Sequence, residues 1–170
     1  DGKEEATVIA VDGNRLIMQE GPQRVVGPGE SVNIPHPSLK IDGFLTETDM
    51  RYITAGENTG ISKYMLSFVE SKEDVQKLQE LVPKATITAK IESMKGLGYV
   101  YNEYEGESRL MPAQGDLFIE VRKPHEISDA LRLIIAKDPD AIVASRICSS
   151  FSYSLQPSYQ DIMAIEGLLS

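Results

Sequence analysis

In Lys90-Ile91-Glu92 an ammonium and a carboxylate stand two residues apart, and in an extended segment that spacing turns both to one side. Asp116 follows in Gln114-Gly115-Asp116, and Ser145 closes the run Ala141-Ile142-Val143-Ala144-Ser145. Two carboxylates at neighbouring strand ends can chelate a hard cation such as Mg²⁺, which keeps coordination positions for substrate oxygens. Gly115 lets the backbone approach a ligand closely, and successive N–H groups there can hold an anionic carboxylate. Ser145 offers a hydroxyl to the same space. Each feature alone has a plainer reading: Lys-x-Glu as a surface ion pair, Gly-Asp as a turn. What points to a site is the order of cation, carboxylate, carboxylate and hydroxyl at three consecutive strand ends.

The elements that must position these groups change in character along the chain. Ala6 to Val11 and Arg15 to Gln19 flank Asp12-Gly13-Asn14, which predicts a β-hairpin. Gly21-Pro22 and Gly27-Pro28-Gly29 then punctuate two further short strands, Gln23 to Val26 and Ser31 to Ile34. Pro35 and Pro37 mark a boundary near 37–43, dividing the chain into a β-rich unit, 1–37, and an α/β unit, 38–170.

Beyond the boundary, helices and strands alternate. Thr46 caps a helix over Glu47 to Glu57, and Ser71 caps one whose Val75, Leu78 and Leu81 share a side. A weaker helix runs from about Gly96 to Tyr104, and a strongly amphipathic one opens at Pro124 with Ile127, Leu131, Ile134 and Ile135. Ser158 starts a terminal helix. Strands fall at Lys63–Val69, Ala85–Ile91, Arg109–Met111 and Ala141–Ser145. Such alternation implies parallel β structure joined by helical crossovers. Four strands are half of an eight-stranded (β/α) barrel, whose chemistry sits at the carboxyl ends of its strands.

Composition narrows the function classes. The net charge of -9 over 170 residues argues against duplex nucleic acid or an anionic membrane as partner. No apolar run approaches a membrane span. A lone cysteine, Cys148, permits no intrachain disulfide and suits a reducing cytoplasm. Cys148 reads as a buried, unreactive thiol, His36 as a loop residue, His125 as a solvent-facing residue of a first helical turn, and Glu103 to Glu107 as a solvated acidic face.

Leu45-Thr46-Glu47-Thr48-Asp49, Ser67-Phe68-Val69, Lys90-Ile91-Glu92, Met111-Pro112-Ala113-Gln114-Gly115-Asp116-Leu117 and Ile142-Val143-Ala144-Ser145 follow one another in the order of a known pattern. It resembles the pyruvate kinase family from the end of its lid domain onward. Gly29 to Pro35 is similar to the lid exit, and Pro157 to Asp161 to the seventh barrel helix. The resemblance implies a partial (β/α)8 TIM-type barrel, about four βα units long, preceded by the last part of a β-rich lid. It implies conversion of phosphoenolpyruvate and ADP to pyruvate and ATP. Lys90 would stabilise the phosphoryl group in transit, and Glu92 and Asp116 would hold Mg²⁺ or Mn²⁺. Ala113, Gly115 and Asp116 would present backbone to the substrate carboxylate, and Ser145 would stand at the proton-transfer face, where the family has Thr. The family also uses K⁺, whose ligands belong to barrel strands that have no counterpart here.

Three positions depart from the family pattern: Gln114 replaces Arg, Arg146 replaces Gln, and Glu30 replaces Lys at the lid exit. Two other functions compete. One is a metal-dependent lyase or aldolase of the related pyruvate-enolate barrels, against which Lys90 and the β-rich segment speak. The other is a non-catalytic relative. A half barrel leaves unpaired strand edges and apolar surface around Met65, Ile87 and Ile142. The chain is therefore expected to be part of a longer polypeptide or of a self-associated homo-oligomer.

Overall fold

A computed structural model describes residues 4–24, 27–30, 32–34, 36, 39–41, 43–121, 123 and 125–169. Val25, Val26, Ser31, Pro35, Pro37 and Pro124 lie outside the described residues, and with them parts of two expected strands, the domain boundary and one helix start. The hairpin forms as β1 (Val8–Asp12) and β2 (Arg15–Met18), antiparallel about Gly13, whose φ of 58° suits a residue without a Cβ. Gln23, Arg24 and Val32 to Ile34 are not in strands. Instead Arg24 grips Glu30 through two bonds of 2.8 and 3.0 Å across the Gly27–Glu30 turn.

The α/β part begins with α1 (Glu47–Thr59), fixed by a reciprocal cap. The Thr46 hydroxyl accepts from the Asp49 N–H at 3.2 Å, and the Asp49 carboxylate accepts from the Thr46 N–H at 2.8 Å. Strand β3 (Lys63–Leu66) leads to α2 (Lys72–Leu81), which carries the same device at Ser71 and Asp74. Strand β4 (Thr86–Ile91) and α3 (Met94–Asn102) follow, with Ser93 accepting from the Gly96 N–H at 3.1 Å. Then come β5 (Arg109–Pro112), α4 (Gln114–Glu120), α5 (Glu126–Lys137) and α6 (Tyr159–Leu169). The α4 turn was not legible in the sequence. Among the described residues no helix is long and apolar enough to cross a membrane.

The sheet is parallel in the order β3-β4-β5. Residues 141–144 extend alongside β5 with a single bridge, Ala113 to Ala144, where a full fourth strand was expected. Ile142 and Ala144 donate to the carbonyls of Leu110 and Pro112, and Gln114 donates to Ala144. Pro112 has no N–H to return to this ladder, so the pairing stays incomplete. Strand β3 also stops early, at Leu66 rather than Val69, because Phe68 turns left-handed with φ 52°.

Sequential strand order sends every crossover the same way, so the helices gather on one face. Tyr64, Leu66, Ile87, Ala89, Ile91, Leu110 and Pro112 alternate onto that face, where all but the half-buried Tyr64 are buried. The other face carries Lys63, Met65, Thr88, Lys90 and Arg109. Ile87, expected among exposed apolar residues, is 2% exposed, whereas Met65 on the opposite face is 60% exposed. Leu81 leaves the stripe of Val75 and Leu78 and is exposed at the end of α2. Cys148 is half-buried rather than buried. Glu107 is not part of a solvated face: it is half-buried and accepts from the Tyr99 hydroxyl at 2.7 Å.

Two packing details lend themselves to measurement. A Cβ at Gly96 would sit 2.7 Å from the Val69 carbonyl oxygen and 3.3 Å from Ile91 Cγ2. Gly96→Ala should therefore lower stability by about 2 kcal/mol in urea unfolding, because backbone rather than a yielding side chain blocks the methyl. At α6, the hydroxyls of Ser150 and Ser158 hold the Asp161 carboxyl down to about 2. The unfolded chain binds this proton first, near pH 3.9, so the stabilisation is present above that value and is lost as pH falls towards 2. Asp161→Asn should melt lower than wild type at about pH 5, and the gap should close on acidification towards about pH 2.

Candidate active site

Glu92 follows β4 directly and is 1% exposed, so its charge has to be met by the protein. Lys90 Nζ lies 2.7 Å from Glu92 Oε1, and the Phe68 N–H donates to Oε2 at 2.8 Å. Lys90 is itself 22% exposed at its side chain and also donates to the Ser67 hydroxyl at 3.2 Å. The pair thus spans the exits of β3 and β4, tied by the backbone bond from the Val69 N–H to the Lys90 carbonyl. Next to it the Ser93 hydroxyl donates to Glu70 Oε1 at 2.6 Å, and Lys95 approaches Glu70 Oε2 at 3.6 Å.

The exit of β5 brings the remaining groups. Register pairs Ile91 with Pro112, and the Ala113 N–H donates to the Ile91 carbonyl at 3.2 Å, so the β4 and β5 exits lie side by side. Asp116 stands in the first turn of α4, half-buried, its Oδ1 3.4 Å from the Asn33 amide nitrogen. The Gly115 N–H donates to the Ser145 hydroxyl at 3.0 Å, and Gln114 Nε2 donates to the Ser145 carbonyl at 3.0 Å. Ser145 and Arg146 both have positive φ, 60° and 56°, and the Arg146 guanidinium lies 4.3 Å from the centroid of the Phe118 ring. The fold therefore assembles two clusters: Lys90 with Glu92, and Gly115 with Ser145. Asp116 stands on the helix that opens beside them.

The donors suit a hard divalent cation. Glu92 and Asp116 offer carboxylate oxygens, and an ionised carboxylate has about four lone-pair sites, of which Glu92 has committed two. Among the described residues no group of three or more His, Cys, Asp or Glu could enclose an ion. An ion here would draw its other ligands from water or substrate, the usual habit of Mg²⁺. Burial raises the Glu120 carboxyl above its ordinary range, and the neighbouring carboxylates of Glu70 and Asp116 push the same way.

Sequence reasoning missed the supporting residues. Ser67, Phe68 and Asn33 act on the functional groups through a hydroxyl, a main-chain N–H and an amide, and only Ser67 and Asn33 have side chains that could have signalled this. A large cavity of about 1950 Å³ lies beside this region, lined in part by Asn33, Ser67, Phe68, Glu70, Lys95 and Glu120.

Comparison with known proteins gives a consistent result. The sequence profile of the pyruvate kinase barrel domain matches residues 1–165. The chain is similar to a pyruvate kinase of Borreliella burgdorferi, 30% identical over 71% of the chain and 26% of that protein. It is 28% identical to one from Thermoplasma acidophilum, over 81% of the chain and 26% of the relative. A Mycoplasma genitalium pyruvate kinase is 26% identical over 95% of the chain and 34% of its own length. The chain thus spans about a quarter to a third of these relatives.

Removing one partner of the buried pair should expose its cost. Lys90→Met leaves Glu92 with a single donor and is expected to destabilise the fold by about 2–3 kcal/mol in urea unfolding. Adding Glu92→Leu should recover most of that loss, since a matched apolar pair carries no stranded charge. A single variant as stable as wild type would make the pair no stronger than a surface contact.

Proposed function

The chain belongs to the pyruvate kinase family, and from that premise we propose that it forms part of a phosphotransferase acting on phosphoenolpyruvate and ADP. The observation that carries this reading is the buried Glu92 carboxylate paired with the half-buried Lys90 at the exit of β4, with Asp116 on the helix that opens beside it. Phosphoryl transfer needs charge neutralisation and positioning more than covalent help, and this arrangement supplies both signs of charge at the carboxyl end of the sheet. In this reading the parallel sheet is a segment of a (β/α)8 barrel. Its sequential strand order and one-sided helices support that, and the hairpin belongs to a lid over residues 1–37.

Glu92 and Asp116 are the residues that would hold Mg²⁺ or Mn²⁺, which would supply charge neutralisation for the transfer. Lys90 Nζ would meet the phosphoryl group as its bond to the enol oxygen breaks and a bond to the terminal ADP oxygen forms. The amides of Ala113, Gly115 and Asp116 would face the substrate carboxylate. At Gly115 that carboxylate would take over the bond now made to the Ser145 hydroxyl. Ser145 would then be released towards the enolate carbon, which must gain a proton. Glu30, paired with Arg24, offers no cation for nucleotide phosphates. K⁺, if the family's requirement holds, would be bound by residues other than these. The same reading favours a cytoplasmic enzyme acting in a longer chain or a homo-oligomer.

The test is a coupled assay with phosphoenolpyruvate, ADP, Mg²⁺ and K⁺, run on this chain and on a longer parent, alongside Mn²⁺ titration of each. Turnover by the parent should fall by a factor on the order of 10²–10³ in Lys90→Ala. Mn²⁺ affinity should not weaken, because the lost ammonium competes for Glu92. Glu92→Gln and Asp116→Asn should each weaken Mn²⁺ binding. No turnover by either form, with unaltered Mn²⁺ binding in both carboxylate variants, would leave a non-catalytic relative.

A further inference from the structure

Phe68 adopts a left-handed backbone, φ 52°, directly after β3 ends at Leu66. Glycine enters this region freely and Asn tolerates it, whereas other L residues resist it and β-branched ones most of all. Phe68 is 43% exposed, so burial of the residue does not account for the conformation. The turn does achieve one thing: with the Phe68 N–H on Glu92 Oε2 at 2.8 Å, it redirects the chain so that the next N–H, of Val69, meets the Lys90 carbonyl. The flanking residues complete the grip. The Ser67 hydroxyl accepts from Lys90 Nζ at 3.2 Å, and the Val69 N–H donates to the Lys90 carbonyl at 3.1 Å. Three consecutive residues of one connection therefore hold both charged groups of the neighbouring strand and the backbone between them.

We infer that Phe68 is a positioning residue for Glu92, whose carboxylate is oriented towards a divalent cation by the left-handed main chain and not by the aromatic ring. This rests on the metal-binding reading of Glu92 given above. Strain retained at a functional site is a recurrent device, and partners that orient a ligating carboxylate typically change metal affinity by about 10–100-fold when lost.

The experiment compares Mn²⁺ binding by the 170-residue chain, read from the electron paramagnetic resonance signal of free Mn²⁺, in wild type, Phe68→Asn and Phe68→Val. Thermal melting of each variant is recorded in parallel. Asn keeps the N–H and accepts the left-handed turn, so its affinity should stay within about twofold of wild type. Val opposes the turn and should weaken binding by about tenfold. Equal affinity in wild type and Val overturns the inference, and so does an Asn variant as weak as Val, which would assign the role to the ring. Should Val fail to fold, the Asn variant decides alone, with retained affinity supporting the inference and a tenfold loss overturning it. A wild-type chain that binds no Mn²⁺ overturns the metal reading and this inference together. Binding by wild type that is unchanged in Val overturns this inference alone. A Phe68 amide proton resonance that does not move in Glu92→Gln also overturns it.

Discussion

An ionised carboxylate withdrawn from water has to be answered by donors at hydrogen-bonding distance. In this chain that requirement falls on Glu92, and much of the local architecture follows from meeting it. One oxygen takes the Lys90 ammonium and the other takes the Phe68 N–H. The second bond is made where the chain leaves β3 by a left-handed step, which ends the strand early and brings Val69 against the start of α3. Gly96 is then required where helix and carbonyl meet, and Ser93, which caps that helix, reaches back to Glu70. Cap, glycine and left-handed turn are thus linked consequences of one buried charge.

Strand β4, which carries Lys90 and is followed directly by Glu92, has the simplest geometry in the site. Alternation alone places both residues on one side, and the same rule sends Ile87, Ala89 and Ile91 to the helix-covered face. The β5 exit follows different physics. Here Pro112 limits pairing with residues 141–144, and a short helix opens at once, so Asp116 is delivered by helical turn rather than by strand alternation. Ser145 reaches the same region through two successive left-handed residues.

These differences explain what the sequence disclosed. Thr46 and Ser71 located the starts of α1 and α2 closely, because a helix cap is a local interaction written in adjacent residues. Lys90 and Glu92 were legible for the same reason. Ile87 was misjudged because its face depends on which side the crossovers run, a property of the whole sheet. Phe68 was invisible as a participant since the group it contributes, a main-chain N–H, is common to every residue except proline. Helix α4 has only seven residues, too few to show a period, and the sequence reading places no helix there.

The hairpin of β1 and β2 has a further consequence. Every residue of both strands is exposed, including Val8, Ile9, Val11, Leu16, Ile17 and Met18. A two-stranded ribbon with no covered face is marginal by itself, so it adds little to the cooperative unit that melts as one. The dependence of unfolding free energy on denaturant concentration scales with the surface newly exposed. For this chain that slope would be shallower than its length suggests, reporting a smaller domain built around β3, β4 and β5.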